Sequence, residues 1–242
     1  RAWDHLMLLG YGARDIMLAG DSAGGNLALV LCHRLKAAGR RLPGALVLMS
    51  PWTDMTMSGA SYAERAESDP MLTPEYIEAV RTAYAGGRDY ASPDLSPLFA
   101  DLTGFPPTLI QAGDHEILYS DAEMLCHALE RAGVPCRFEV SEGMWHVFQM
   151  FPLRKAAAAM ESVARFLLER CNDGRRKSLF CTAVNLLELE DVEAVIARLE
   201  EEFGPEYPPE EQKDRGSRAA ELFRERAQTR GVSLKLERQR KP

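Results

Sequence analysis

Residues Asp15–Asn26 read Asp-Ile-Met-Leu-Ala-Gly-Asp-Ser-Ala-Gly-Gly-Asn, and this stretch constrains the chain more than any other. A short apolar run, Ile16–Ala19, stops at Gly20, then come Ser22, Ala23, Gly24, Gly25 and the apolar Leu27–Cys32. The pattern is a strand, a sharp turn and a helix, with a serine at the apex and glycines two residues to either side. A serine lifted off a strand end occupies a strained turn, and side chains at positions −2 and +2 would collide with the neighbouring backbone. A plain glycine-rich turn between strand and helix is the alternative. The apolar strand pattern before it and the buried-helix pattern after it favour the strained serine turn.

The remaining elements follow from apolar periodicity. Arg1–Leu9 reads as the last turns of a helix with Trp3, Leu6 and Met7 on one side and Gly10 as its stop. Ile16–Ala19, uninterrupted and apolar, reads as a parallel strand covered on both faces. Gly24–Ala38 follows as a helix whose Leu27–Cys32 segment is apolar all round and therefore deeply buried, with Gly39 ending it. Ala45–Met49 is a second buried strand, cut off by Ser50-Pro51, and Trp52–Pro70 reads as a long surface excursion over the strand ends. Thr73 caps a helix with Pro74 at its first position, running to about Tyr84, and the proline-rich Gly86–Pro107 is irregular. Thr108–Ala112 is a third strand, Ser120–Ala132 a helix with the face Ala122, Leu125, Cys126 and Leu129, and Cys136–Val140 a fourth strand. Leu153–Cys171 closes the series as a helix with one face toward the sheet. Alternating strands and helices predict an α/β fold with a mostly parallel sheet flanked by helices.

Composition bounds the rest. A chain of 242 residues with 46% hydrophobic content can bury one sizeable core. A net charge of −7 argues against a nucleic-acid surface, and no apolar run approaches a membrane span. Five scattered cysteines (Cys32, Cys126, Cys136, Cys171, Cys181) without CxxC or metal-type spacing suit buried reduced thiols in a cytoplasmic protein. No signal peptide is visible, although a chain beginning at Arg1, already inside a domain, does not exclude one. Residues 1–172 read as the globular part. Residues 173–242, roughly 40% charged, read as a helical or partly disordered tail with one amphipathic segment around Val192–Phe203 and a weaker one around Ala219–Ala227.

A serine is a weak nucleophile until a base takes its proton, and the base needs an acid to hold its tautomer. In a fold of this kind the acid and histidine lie at the ends of later strands, in that order. His146 follows the fourth strand in a loop, whereas His5, His33 and His127 fall on helices and His115 sits beside the candidate acids. Gly113-Asp114-His115-Glu116 after the third strand offers two carboxylates, and chain geometry does not separate them.

Gly20-Asp21-Ser22-Ala23-Gly24-Gly25-Asn26, Ser50-Pro51-Trp52-Thr53-Asp54, Ser68-Asp69-Pro70, Pro106-Pro107 and Gly143-Met144-Trp145-His146 occur in this order. Together they resemble the hormone-sensitive-lipase-like carboxylesterases of the α/β-hydrolases, over about Arg1 to Cys171. The resemblance implies hydrolysis of short-acyl esters, with no metal and no organic cofactor. It places the triad on Ser22, His146 and, through the family's acid-x-Leu-x-acid loop at Glu116–Ser120, on Glu116, with Asp114 as runner-up. Ala23 contributes its backbone N–H to the oxyanion hole. Asp21, Trp52 and Trp145 are candidate substrate-binding residues, the two aromatics being open equally to plain core packing. The family's His-Gly-Gly motif and N-terminal cap helices are not present in the 21 residues before Ser22, so the chain is expected to be a fragment of a longer esterase and a poor catalyst. The exposed edge of the Ile16–Ala19 strand is expected to pair or self-associate. Two further readings stand beside it: one different in kind, an inactive remnant that only binds, and a closer one, an amide or lactone hydrolase using the same triad.

Overall fold

The computed structural model describes residues 2–171 and Glu201. The expected tail segments, Cys181 and the side chain of Cys171 lie outside the described residues. Residues up to Phe148, together with Arg165–Cys171, belong to one compact unit, while Gln149–Ala164 groups with a second. The sheet belongs to the first unit.

Four strands form its centre: β1 (Met17–Asp21), β2 (Ala45–Met49), β3 (Thr108–Gly113) and β4 (Cys136–Ser141). They pair in the order β1-β2-β3-β4, every pair parallel. Among the described residues the α-helices are α1 (Ala2–Leu8), α2 (Ala23–Ala37), α3 (Ser61–Glu64), α4 (Pro74–Ala85), α5 (Tyr119–Arg131) and α6 (Arg154–Cys171), the last of which runs from the second unit into the first. Parallel strands need crossovers, and α2 and α5 supply two of them, so both lie along the sheet.

Leu46, Leu48, Ile110 and Ala112 of the central strands meet Leu29 and Cys32 of α2 and Ala122, Leu125 and Leu129 of α5. All of these side chains are completely buried. Each large aliphatic side chain contributes about 1.5–3 kcal/mol relative to an exposed one. The α5 face expected from its three-and-four spacing is therefore the face that packs. Trp3, with Leu6 and Met7 of α1, packs beside Ala13, Ile16 and Leu35. Thr73 caps α4 by accepting a hydrogen bond from Tyr76 N–H at 3.2 Å, and Gly86 closes that helix in the left-handed region (φ 57°).

The structure corrects three expectations. β1 is not covered on both faces: Ala19 and Asp21 are exposed, because β1 is an edge strand with one partner among the described residues. α2 is not buried all round, since Leu27 is 59% exposed on the side turned away from the sheet core. The stretch after β2 is not a surface excursion at its start. Trp52, Thr53, Asp54 and Met55 are each at most 3% exposed. Their polar groups escape water because they find partners inside: one Asp121 carboxylate oxygen accepts both the Thr53 and the Asp54 N–H at 2.8 Å. The Asp54 carboxylate in turn accepts from the Thr56 and Ser58 hydroxyls at 2.6 Å.

Cys32, Cys126 and Cys136 are free thiols. Burial pushes the Cys32 thiol up to about 12 and raises Cys136 as well, leaving both unreactive as nucleophiles.

Candidate active site

Ser22 is the junction between β1 and α2, with φ 50° and ψ −120°. That conformation is rare for a residue with a side chain, and its surroundings hold it. Ser22 N–H donates to Met49 O at 2.9 Å, and Ser22 O accepts from Gly25 N–H, Asn26 N–H and Trp52 N–H. Its backbone is thus fully engaged while its side chain remains partly exposed.

The glycine arithmetic of the turn differs in part from the sequence argument. A Cβ on Gly20 would lie 2.3 Å from Gly24 O, so the −2 position tolerates no side chain. A Cβ on Gly24 would meet only Asp21 Oδ1 at 3.8 Å, which is ordinary contact. What crowds Gly20 is the Gly24 backbone, whatever side chain Gly24 carries. The second tight glycine is Gly25, where a Cβ would stand 2.9 Å from Pro51 Cβ.

Asn26, 2% exposed, donates both amide hydrogens, to Trp52 O at 2.9 Å and Leu95 O at 2.8 Å. It ties the first turn of α2 to two distant loops. Ala23 is the first residue of α2, where backbone N–H groups have no intrahelical acceptor.

Past β3 the chain turns so that Glu116 Oε1 accepts from Gly113 N–H at 3.0 Å and Glu116 Oε2 lies 2.9 Å from His146 Nδ1. Glu116 is wholly buried and His146 is 5% exposed. Of the two carboxylates open on sequence, Glu116 meets the histidine. Asp114 instead accepts Gly143 N–H at 2.6 Å and shapes the loop before it. His115 N–H reaches Met144 O at 2.9 Å, and a Cβ on Gly113 would stand 2.1 Å from that same oxygen. The close approach of the two loops is what demands glycine there. Asp69 braces the acid loop from outside, accepting Ile117 N–H at 2.9 Å on one oxygen and Met71 and Leu72 N–H on the other.

After His146 the chain bonds back toward the Ser22 turn: Val147 N–H donates to Ser50 Oγ at 3.0 Å, and Ser50 directly follows Met49, the acceptor of Ser22 N–H. Trp52 packs with Met55, Tyr62, Ile77, Leu95, Ile117 and Leu118. Trp145 is buried as well, and Asp21 is exposed at the tip of β1. Sequence reading gave Ser50, Asn26, Asp69 and Asp121 no role. Ser50-Pro51 at a strand end and Asp69-Pro70 are the local signals that mark two of them.

Among the described residues no group of three or more His, Cys, Asp or Glu side chains could hold a metal ion, and no helix is long and apolar enough to cross a membrane.

A parallel sheet with a positive-φ serine between strand and helix, and a buried acid–histidine pair on later loops, defines an α/β-hydrolase-type protein. The profile of the alpha/beta hydrolase fold family matches residues 2–150, and the chain belongs to that family, in its hormone-sensitive-lipase-like branch. It is 38% identical over 164 residues to an esterase of Acinetobacter venetianus, covering 66% of this chain and 54% of that protein. It is likewise 38% identical over 161 residues to an acetyl-hydrolase of Streptomyces hygroscopicus, covering 66% and 54%. A crystal structure of an esterase from the bacterial hormone-sensitive lipase family superposes with a TM-score of 0.68 at 38% identity, covering 70% of this chain and 58% of that one. The chain thus spans about half the length of these curated relatives.

Proposed function

We propose that the chain carries the nucleophile, acid and base of a serine carboxylesterase. Ser22 Oγ attacks the ester carbonyl, and His146 Nε2 takes the serine proton and then delivers it to the leaving alcohol. Glu116 holds His146 in the tautomer that leaves Nε2 free to accept. Water, activated by the same histidine, then releases the acid from the acyl-enzyme. Ala23 N–H, at the start of α2, faces the oxyanion.

The observation that carries this reading is the buried His146 Nδ1–Glu116 Oε2 contact at 2.9 Å. A buried imidazole bound to a carboxylate on a loop tethered beside a strained, partly exposed serine has little use in packing alone. Similarity to proteins named esterase and acetyl-hydrolase supports an ester substrate with a small acyl group. The open edge of β1 supports self-association as a further property of this chain.

The test is labelling with a fluorophosphonate, which reports serine activation without needing the right ester. Wild-type chain is expected to label, and Ser22→Ala and His146→Ala are expected not to. Folded, soluble wild-type protein that takes no label, or labelling that survives Ser22→Ala, defeats the proposal.

A further inference from the structure

Two non-glycine residues of the first unit sit at positive φ and touch each other: Ser50 at 47° and Val147 at 50°. Ser50 is completely buried and Val147 is 6% exposed. A β-branched residue in the left-handed region is a genuine outlier, kept only where its surroundings over-determine it. Here the restraint is visible. Val147 N–H donates to Ser50 Oγ at 3.0 Å across 97 positions of sequence, and Ser50 N–H is anchored on Gln111 O of β3 at 2.7 Å.

The peptide that carries Val147 N–H also carries the carbonyl of His146. Fixing its plane fixes the backbone from which the imidazole projects. Glu116 holds the ring at Nδ1, and the Ser50 hydroxyl holds the backbone one residue on. The two anchors restrain rotation of the ring and displacement of its loop, respectively. Ser50 is also next in chain to Met49, whose carbonyl accepts Ser22 N–H at 2.9 Å. Consecutive residues at the end of β2 therefore hold the serine turn and the histidine loop.

We propose that Ser50 is a positioning residue: its buried hydroxyl latches the strained Val147 peptide and thereby sets His146 against Ser22. The inference rests on the reading of Ser22 and His146 as nucleophile and base. A misplacement of about 1 Å between reacting groups costs up to about 10²-fold in rate, so a latch acting at the root of the base has kinetic weight although it touches no substrate.

The experiment compares Ser50→Gly and Ser50→Ala with the wild-type chain. Glycine accepts φ 47° without strain, so Ser50→Gly removes the latch while relieving the backbone, and it keeps the test valid where Ser50→Ala fails to fold. Three readouts are taken on protein with a cooperative thermal transition. They are the rate of fluorophosphonate labelling, the split between kcat and KM on a short-acyl ester, and the low-field proton resonance of the His146–Glu116 hydrogen bond. Both variants are expected to label about 10–100-fold more slowly, with KM within about twofold, and to shift or broaden the resonance. Ser50→Cys, which keeps a weaker acceptor, is expected to fall between. Wild-type labelling rates with an unmoved resonance in Ser50→Gly overturn the proposal. Should the wild-type chain show the resonance but take no label, the esterase reading fails by itself. The latch is then decided on the resonance: moved in Ser50→Gly it stands, unmoved it falls.

Discussion

Glu116→Gln is the substitution whose effect can be worked out atom by atom. Glu116 offers two acceptor oxygens, one to Gly113 N–H at 3.0 Å and one to His146 Nδ1 at 2.9 Å, and both sites are buried. Glutamine has the same shape but one oxygen and one NH₂. With its oxygen toward Gly113, its NH₂ faces Nδ1, every bond is made, and Nδ1 becomes the acceptor. The proton then sits on Nε2, where it cannot receive one from Ser22. With its oxygen toward Nδ1–H the tautomer is right, but NH₂ meets Gly113 N–H, two buried donors face to face, at about 1–3 kcal/mol. The competent form is thus outweighed by about 5- to 150-fold. Replacing an ionised acceptor by a neutral one weakens the hold on the imidazolium by about 1–1.5 kcal/mol more, roughly another tenfold. A comparable swap of the triad acid in a serine protease lowers kcat about 10⁴-fold through the same wrong tautomer.

The expected outcome for Glu116→Gln is a fall of about 10²–10⁴ in the second-order rate of fluorophosphonate labelling, with the thermal midpoint little changed because one amide orientation satisfies every partner. Asp114→Asn is the internal control. An asparagine oxygen still accepts Gly143 N–H, so its labelling rate is expected to stay within about tenfold of wild type. A Glu116→Gln chain that labels within tenfold of wild type, or an Asp114→Asn chain that does not label, refutes the assignment of the acid.

Gly20→Ala is expected to abolish folding or cost more than about 3 kcal/mol, its Cβ falling 2.3 Å from Gly24 O, while Gly24→Ala stays within about 1 kcal/mol in urea unfolding. Asp121 gives a pH signature. Burial pushes its carboxyl up to about 8, against about 3.9 in an unfolded chain, so the folded state keeps a proton that the unfolded state has released. Its contribution to stability is full below about pH 4, declines as pH rises, and is lost once pH has passed through about 8. Asp121→Asn, whose oxygen can still accept from Thr53 and Asp54, is expected to remove that decline when unfolding free energies of the two proteins are compared across pH. Ala19→Lys, on the exposed part of edge strand β1, is expected to reduce self-association in sedimentation velocity. Unchanged association assigns the contact to another surface.

What was legible in the sequence was what is local in the sequence. β2 starts and stops where its apolar run does, at Ala45 and Met49, because a central parallel strand is buried on both faces and turn chemistry ends it. The buried face of α5 follows from spacing alone, and Ser22 from four neighbours on the chain. Failures began where long-range partners decide. Leu27 reads as core by its neighbours, but it lies on the side of α2 turned away from the sheet core and is exposed. Trp52–Met55 reads as surface by polarity, but Asp121, nearly 70 positions away, takes its N–H groups inside. The choice between Glu116 and Asp114 was closed on sequence only by a resemblance; in the structure Glu116 is the one that reaches His146, because the chain after Gly113 curls far enough to turn it inward. Ser50 shows the limit most clearly. Its partner lies 97 residues downstream, and its role is a single hydrogen bond to a backbone N–H, which any residue but proline can present. No side-chain pattern encodes such a contact. The residues that stand at strand ends can therefore be picked out from local pattern, while the bonds between those ends are visible only once the strands have brought them together.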